Sequence, residues 1–374
     1  MSRAVLVLNA GSSSLKYRVL DPVSEETAVR GTVERVDESG WDGAFEQVSS
    51  ALSEGGVDPA DLLAVGHRVV HGGDRYTGPT RVDDDVERGI EELVALAPLH
   101  NPPALAGIRA TRTTFPDLAQ VAVFDTAFFA DLPAAAATYA LDRDVAREAG
   151  IRRFGAHGIS HQHVAGEAAR FLGRPLEELS LVVLHLGNGA SAAAVRGGLP
   201  VDTSMGLTPL EGLVMGTRPG DIDPGVLLHL LRRGYDADRL EELLHHRSGL
   251  QGLAGVHDFR DLGEAVARGD GAARTAYDVY CHRLRKYVGA YLAVLGGADA
   301  IVFTAGVGEH APDLRADALD GLSALGVEVD DARNRGAAGG PRRISADGSR
   351  VAVLVVPTDE ELAIARQVHD LLGG

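Results

Sequence analysis

A strand, a glycine-rich turn and a second strand occur twice in this sequence, and the repeat constrains the fold more than any other feature. Residues 4–8 are apolar and lead through a turn of small residues into a strand-like segment at residues 15–20. Residues 181–184 are also apolar, and they lead through His185 and a glycine-rich turn into a run of small residues. Asn9 aligns with His185, which lies about half of the 374-residue chain further on. Such a repeat predicts two related domains that each offer a turn to a shared cleft.

The remaining hydrophobic pattern alternates between the periods of strands and helices. Further strands are expected at residues 63–70, 121–124, 300–304 and 351–356. Helical periodicity is found at residues 86–97, 163–172, 224–233, 272–295 and 360–372. The alternation predicts an α/β protein with a mixed sheet in each half, a hinge shortly after Asp125 and a surface loop at residues 336–341.

The composition excludes several classes of function. A formal net charge of −17 argues against nucleic acid and anionic membrane surfaces as partners, because both would be repelled. The single cysteine, Cys281, rules out an intramolecular disulfide and fits a reducing compartment. The apolar run at residues 5–8 is too short for the core of a signal peptide, and no stretch approaches the roughly 20 apolar residues of a membrane span. We therefore expect a cytoplasmic protein.

The two turns, together with a third after the strand at residues 300–304, have the composition of phosphate-binding turns. Small residues let backbone N–H groups approach phosphate oxygens, and Ser12 and Ser14 add hydroxyl donors. Lys16 is one of only two lysines among the 36 basic residues, and it adds a compact charge. Neither a P-loop nor a dinucleotide-binding G-x-G-x-x-G motif is present.

Two arginines and three carboxylates stand in positions that suit phosphoryl transfer. Arg68 ends an apolar strand beside flexible glycines, and Arg218 lies in a Gly/Pro-containing turn. Two guanidinium groups can orient a carboxylate and neutralise phosphoryl oxygens. Asp125, Asp258 and Glu360 are candidates for organising the arginines or holding Mg²⁺, although each also suits a helix N-cap.

Three histidines in seven residues, His157, His161 and His163, leave a second interpretation open. They are consistent with a zinc-dependent hydrolase, although no cysteine or acidic ligand stands nearby. A single histidine that donates to a transferring phosphoryl group fits the surroundings better. A third interpretation is an actin-like nucleotide switch, which would hold or hydrolyse ATP without transferring a phosphoryl group to an acyl substrate.

Several longer motifs resemble the acetokinase family, within the actin/hexokinase/sugar-kinase superfamily. They are VLNAGSSSLK at residues 7–16, GHRVVHGG at 66–73, LAPLHNPP at 96–103, HLGNG at 185–189, FTAGVGE at 303–309 and the segment at 357–366. The resemblance covers the chain from end to end. It implies two duplicated ribonuclease H-like domains, residues 1–127 with 362–374 and residues 128–361, with a cleft between them and a homodimeric assembly.

The resemblance also implies a reaction and a role for each matching residue. The reaction is ATP-dependent phosphorylation of acetate, with ATP/ADP as co-substrate and Mg²⁺ or Mn²⁺ as the metal. The implied catalytic residues are Arg68, Asp125, His157 and Arg218, and the implied metal ligands are Asn9 and Glu360. The implied phosphate and nucleotide contacts are Ser12, Ser14, Lys16, His185, Asn188, Gly189, Asp258, Phe259, Arg260, Gly306, Val307, Gly308 and Glu309.

The acyl pocket implied by the resemblance is formed by Arg68, Val70, Leu99, Ala156 and Pro209. The family usually has an aromatic residue before the histidine of the 154–163 segment and a threonine two residues after it. This sequence has Ala156 and Ile159 there. The smaller Ala156 predicts relaxed acyl selectivity, with propanoate used beside acetate, because one methylene is worth only about 1–3 kcal/mol of discrimination.

Overall fold

In a computed structural model of the chain, residues 4–11, 14–34, 36, 40–336 and 339–373 are described, except for the side chain of residue 42. They form two compact units. The first comprises Met1–Ala130, Ala156–His163 and Asp359–Gly374, and the second comprises Asp131–Gly155 and Val164–Thr358.

The first unit is built on a six-stranded mixed sheet with the order β3-β2-β1-β4-β6-β5. The strands are β1 Val5–Ala10, β2 Ser14–Leu20, β3 Thr27–Glu34, β4 Ala64–Val69, β5 Thr80–Arg81 and β6 Gln120–Phe124. The first three strands form an antiparallel meander, and β1, β4 and β6 run parallel to one another. The carboxyl ends of these three parallel strands therefore meet at one edge of the sheet.

The second unit repeats this plan with the order β11-β12-β10-β7-β8-β9. Its strands are β7 Ser180–Leu186, β8 Ala190–Arg196, β9 Leu199–Thr203, β10 Ala300–Thr304, β11 Arg342–Arg343 and β12 Ala352–Val355. An antiparallel meander again precedes the parallel strands β7, β10 and β12. The two sheets share one topology, so the predicted α/β fold of two mixed sheets is confirmed.

Fifteen α-helices flank the sheets in the described residues. They are α1 Trp41–Glu54, α2 Asp84–Glu92, α3 Asn101–Thr114, α4 Ala134–Ala137, α5 Arg143–Glu148, α6 Gly158–Leu172, α7 Pro224–Arg232, α8 Ala237–His246, α9 Gly249–Ala254, α10 Phe259–Ala267, α11 Gly271–Leu295, α12 Ala305–His310, α13 Pro312–Leu319, α14 Asp331–Arg335 and α15 Glu360–Gly373. None of them is long and apolar enough to cross a bilayer.

Alternating residues of β1 direct the packing of the first unit. Leu6 and Leu8 join a core cluster with residues of α1, whereas Val5 and Val7 pack with α15 on the opposite face. Helix α15 approaches β4 so closely that a Cβ on Gly66 would lie 2.8 Å from Ile364 Cγ2. This close approach holds the start of α15, with Glu360, against the first sheet.

Two predicted helix boundaries are wrong. The helix expected at residues 86–97 ends at Glu92, and Leu93–Leu96 continue as a 3₁₀ turn. The helix expected from residue 163 begins earlier, at Gly158, because the polar residues 160–162 hide the hydrophobic period of its first turn.

Candidate active site

In the first unit, the strand ends bring four of the predicted site residues together. Asn9 lies near the end of β1, Arg68 lies near the end of β4, and Asp125 follows β6. The Arg68 guanidinium contacts Asp125 Oδ2 at 2.6 Å, Asn9 Oδ1 at 3.5 Å and Glu360 Oε2 at 3.5 Å. One cation is thus surrounded by three oxygen-bearing side chains, which is the arrangement that parallel strands with a common edge produce.

The charges of this cluster depend on one another. Asp125 is fully buried, and burial raises the pKa of its carboxyl to about 6, although the Arg68 guanidinium lowers it. Burial lowers the pKa of Arg68, but the Asp125 and Glu360 carboxylates more than compensate and raise it above its ordinary value. Arg68 therefore stays charged at neutral pH, and Asp125 is ionised there as its partner.

The predicted histidine lies beside Asp125 because a glycine follows it. His157 has a positive φ of 58°, and Gly158 donates its N–H to the Asp125 carbonyl at 3.0 Å. A Cβ on Gly158 would lie 2.1 Å from that carbonyl oxygen, so no larger residue fits without displacement. His161 instead packs its ring edge-on against Phe129, with centroids 5.7 Å apart.

The start of helix α15 is held by an arginine that was not predicted as a site residue. Arg18 on β2 donates to both carboxylate oxygens of Asp359, at 2.8 and 2.7 Å. Asp359 also accepts from the N–H of Leu362 at 2.9 Å and so caps the helix. Glu360 is the next residue, and this bidentate pair fixes where its carboxylate stands.

In the second unit, Arg218 differs from Arg68 in having no carboxylate partner among the described residues. It donates to the Pro209 carbonyl at 2.7 Å. Burial lowers the pKa of its guanidinium to about 10, so the group remains charged at pH 7. A partly buried cation without a counter-charge is a ready receptor for an anion.

The segment that carries Arg218 is closed on itself by hydrogen bonds. Gly212 and Asp221 tie its ends together, through Gly212 N to Asp221 Oδ1 at 2.9 Å and Asp221 N to Gly212 O at 3.0 Å. Arg283 and Tyr287 on α11 then contact these two residues, at 2.9 Å to Gly212 O and 3.0 Å to Asp221 Oδ2. These residues carry no signal in the sequence, because only tertiary structure brings residue 212 to α11.

A cavity of about 700 Å³ lies within the second unit. Among its lining residues are six of the predicted nucleotide contacts: Asn188, Asp258, Phe259, Arg260, Gly306 and Val307. It is also lined by residues that were not predicted as contacts: Gly187, Gly216, Leu250, His257, Tyr280, His310 and Ala311. Glycines, aromatic rings and a few polar groups around such a volume form a typical small-molecule site.

Known proteins with similar sequences and folds identify this arrangement. The model of the acetokinase family matches residues 41–366. The chain belongs to the acetokinase family. The acetate kinase of Porphyromonas gingivalis is 38% identical over 100% of both chains, with a TM-score of 0.92. A propionate kinase from Francisella tularensis is 37% identical over 98% of this chain and 99% of that one, with a TM-score of 0.92.

The acetate kinase of Entamoeba histolytica is 29% identical over 99% of this chain and 100% of that chain, with a TM-score of 0.89. The predicted membership of the acetokinase family is confirmed. The prediction that the chain is a kinase is confirmed with it. The three histidines of the zinc interpretation do not form a metal-binding group in the part of the chain that the structure describes.

The remaining predicted residues of this acetokinase are placed as follows. His185 is the penultimate residue of β7 and is buried, and the Gly189 carbonyl accepts from the N–H of Gly187 at 3.0 Å in the turn that follows. Gly308 and Glu309 lie in α12 but do not line the cavity. Ser14 and an exposed Lys16 start β2, with Lys16 opposite Asn9.

The other predicted positions are buried, are half-buried or lie outside the described residues. Val70 and Ala156 are buried in the first unit, Pro209 is buried in the second, and Leu99 is half-buried. Ile159 belongs to the core of the first unit and packs with β1, β6 and α15. Ser12 lies outside the described residues.

Gly158→Ala should lower kcat by about 100-fold and destabilise the fold by about 1–3 kcal/mol, because the new methyl group must displace the Asp125 backbone. Steady-state kinetics and urea unfolding measure the two effects. Gly166→Ala is the matched control in the same helix, since nothing lies within 4 Å of its added Cβ. Wild-type activity in both variants would show that the Asp125 backbone tolerates displacement.

Proposed function

We propose that this chain transfers the γ-phosphoryl group of ATP to the carboxylate of acetate and so forms ADP and acetyl phosphate reversibly. Family membership supports this reaction, and two of the similar solved structures are acetate kinases. The observation that carries the proposal is Arg218, a partly buried cation bonded only to the Pro209 carbonyl among the described residues. An anionic substrate supplies the counter-charge that this guanidinium lacks.

The chemistry then needs positioning and charge stabilisation more than proton transfer. The substrate carboxylate is the nucleophile, and it is ionised at pH 7 because carboxylic acids have pKa values near 4. In the proposed mechanism, Arg68 and Arg218 neutralise charge on the carboxylate and the phosphoryl oxygens, and His157 stabilises the transition state. Asp125 keeps Arg68 oriented through its 2.6 Å contact.

The oxygen donors around Arg68 fit a hard divalent cation. Asn9 Oδ1 and the Glu360 carboxylate both contact Arg68, and Asp125 Oδ1 is buried without a hydrogen-bond partner in the described residues. Mg²⁺ prefers one or two such oxygens together with water and phosphate. We propose that Asn9 and Glu360 hold it. When bound, Mg²⁺ would neutralise phosphate charge.

Nucleotide binding is proposed for the 700 Å³ cavity of the second unit. Phe259 offers an apolar ring, and Asp258 and Arg260 form an ion pair at 2.9 Å beside it. The glycine turns at residues 187–189 and 306–308 allow phosphate oxygens to approach the backbone. In the same proposal, His185 contacts phosphate, and so do Ser12, Ser14 and Lys16.

Activity should fall as the pH drops through about 6, where Asp125 takes up a proton and Arg68 loses its ionised partner. The stability contribution of Asp125 has the opposite sign. Its pKa is raised on folding, so the folded state binds the proton more tightly and gains stability as the pH falls from about 6 towards about 4. Profiles of kcat against pH test the predicted loss of activity. The fall in kcat on the acidic side should remain in His157→Gln and should disappear in Asp125→Asn.

Acetate-dependent formation of acyl phosphate is the direct test of the function. Purified protein with ATP, Mg²⁺ and hydroxylamine should form acetohydroxamate and release ADP only when acetate is added. ADP release at the same rate without acetate would support a nucleotide switch instead. Zinc analysis of the same sample tests the hydrolase alternative, which requires stoichiometric metal.

Propanoate is proposed as a second substrate. Ala156 leaves more space than an aromatic residue, and one similar solved structure is a propionate kinase. The pocket is proposed to consist of Arg68, Val70, Leu99, Ala156 and Pro209. We expect kcat/KM for acetate and propanoate to agree within about tenfold. Ala156→Phe should lower the value for propanoate more than that for acetate; a steep acetate preference in the wild type would contradict this.

A homodimer is also proposed. Helix α7 exposes Leu228 and Leu231 at 53% and 45%, and these two residues, three apart on one face of the helix, suit contact with a second copy. Light scattering should give twice the monomer mass, and Leu228→Asp should shift it towards the monomer. We also propose the domain boundaries predicted from the sequence, 1–127 with 362–374 and 128–361, and a cytoplasmic location.

A further inference from the structure

Arg315 on α13 is a fully buried cation with no carboxylate partner among the described residues. Its side chain is 1% exposed and is the largest of the fully buried side chains there. Burial and, to a smaller extent, the nearby Arg342 guanidinium together lower the pKa of Arg315 to about 10. Burying a charge without a counter-charge is costly, so the position of Arg315 calls for an explanation.

All of the hydrogen bonds of Arg315 go to neutral oxygens. Nη1 donates to the carbonyls of Gly308 at 2.8 Å and Glu309 at 3.0 Å. Nε donates to Asn334 Oδ1 at 2.8 Å, and Nη2 donates to the Asn334 carbonyl at 2.8 Å. Carbonyls in the last turn of a helix have no hydrogen-bond donor within that helix. Arg315 donates to two such carbonyls of α12.

Helix α12 connects this buried arginine to the cavity. Gly306, Val307 and His310 of α12 line the cavity, whereas Gly308 and Glu309 of the same helix do not. One side of this short helix therefore lines the cavity, while Arg315 binds carbonyls of its last turn. The planar guanidinium of an arginine holds its N–H donors in fixed directions, so it sets the orientation of the bound carbonyls as well as their distance. A lysine ammonium cannot set the orientation.

Other contacts of α12 reach the same turn. Arg342 Nη2 donates to the Glu309 carbonyl at 3.2 Å, and Glu309 Oε1 accepts from Thr358 N at 3.3 Å. Asn334 Nδ2 donates to the Pro312 carbonyl at 2.8 Å and so anchors the acceptor that Arg315 uses. The two arginines and Asn334 together form a rigid support for α12.

We propose that Arg315 is a positioning residue for the nucleotide, because it holds α12 in the place where that helix lines the cavity. This inference rests on the proposed function of the cavity as the nucleotide site. It also gives Glu309 a different role from the one its sequence motif implied. The backbone carbonyl of Glu309 accepts the support, and its side chain need not touch the nucleotide.

The test compares Arg315→Lys with Arg285→Lys. Arg285 also donates to backbone carbonyls in the second unit, those of Asp317 and Ala318, and none of these residues lines the cavity. Calorimetry with MgADP should give a Kd raised about tenfold in Arg315→Lys and changed by less than about twofold in Arg285→Lys. The KM for ATP should rise in parallel with the Kd, and the KM for acetate should stay unchanged.

Equal MgADP affinities in the wild type and Arg315→Lys, or an equal rise in the KM values for ATP and acetate, would overturn the inference. Failure of the wild type to bind MgADP would instead overturn the proposed function of the cavity. Arg342→Met carries the test if Arg315→Lys does not fold, because Arg342 is less buried and contacts the same Glu309 carbonyl. It should raise the Kd for MgADP about threefold, and an unchanged Kd would also count against the inference.

Discussion

Arg218→Ala should reduce kcat by about 10³–10⁵-fold, which is the usual contribution of an arginine that stabilises the transition state of phosphoryl transfer. Its guanidinium is held by the Pro209 carbonyl and has no carboxylate partner in the described residues. The charge is therefore free to act on an anionic substrate. Stopped assays for acetyl phosphate at saturating ATP and acetate measure the loss.

The same variant should leave the fold intact. Removing a cation that no carboxylate neutralises leaves no buried charge behind, so the free energy of unfolding should change by less than about 1 kcal/mol. Arg218→Lys keeps the charge without the planar fork and should recover only part of the activity. Near-normal turnover of purified Arg218→Ala would remove Arg218 from the mechanism.

Arg68→Ala should lose activity on the same scale and, unlike Arg218→Ala, should also lose about 3–5 kcal/mol of stability. Its guanidinium contacts the fully buried Asp125 at 2.6 Å, so the variant leaves a buried carboxylate without its partner. Kinetics and urea unfolding at pH 7 give the two numbers from one preparation.

The double variant Arg68→Ala, Asp125→Asn separates the two effects. It removes both charges of the pair and should recover most of the lost stability, because breaking one half of a buried pair costs more than removing both. Activity should not return, since the transition-state cation is still missing. If Arg68→Ala proves as stable as the wild type, Asp125 must take up a proton at pH 7 when its partner is removed.

Much of the candidate site was predictable because strand ends carry it. Asn9, Arg68 and Asp125 each stand at or beside the end of an apolar run, and parallel strands with a common edge bring such residues together. Gly158 was not predicted as a site residue. The structure adds its physical role, close approach to the Asp125 carbonyl.

Other contacts had no local signal. Arg18 and Asp359 are 341 residues apart, yet they form the bidentate pair at the start of α15. Tyr287 and Asp221 meet only because α11 packs beside the Arg218 segment. Arg315 follows an ordinary helical pattern, and nothing in its neighbourhood along the chain distinguishes it from an arginine on the surface.

The amino-acid sequence by itself determined the two-sheet α/β plan, the family and the choice of candidate site residues. Hydrophobic period, turn chemistry and strand-end polarity are local properties, and the repeat shows that one plan is used twice. Only the tertiary structure decided which charges are neutralised. Arg68 is paired with Asp125, whereas Arg218 and Arg315 have no carboxylate partner in the described residues. Charge compensation depends on burial and on contacts between distant segments, and neither is written in local sequence.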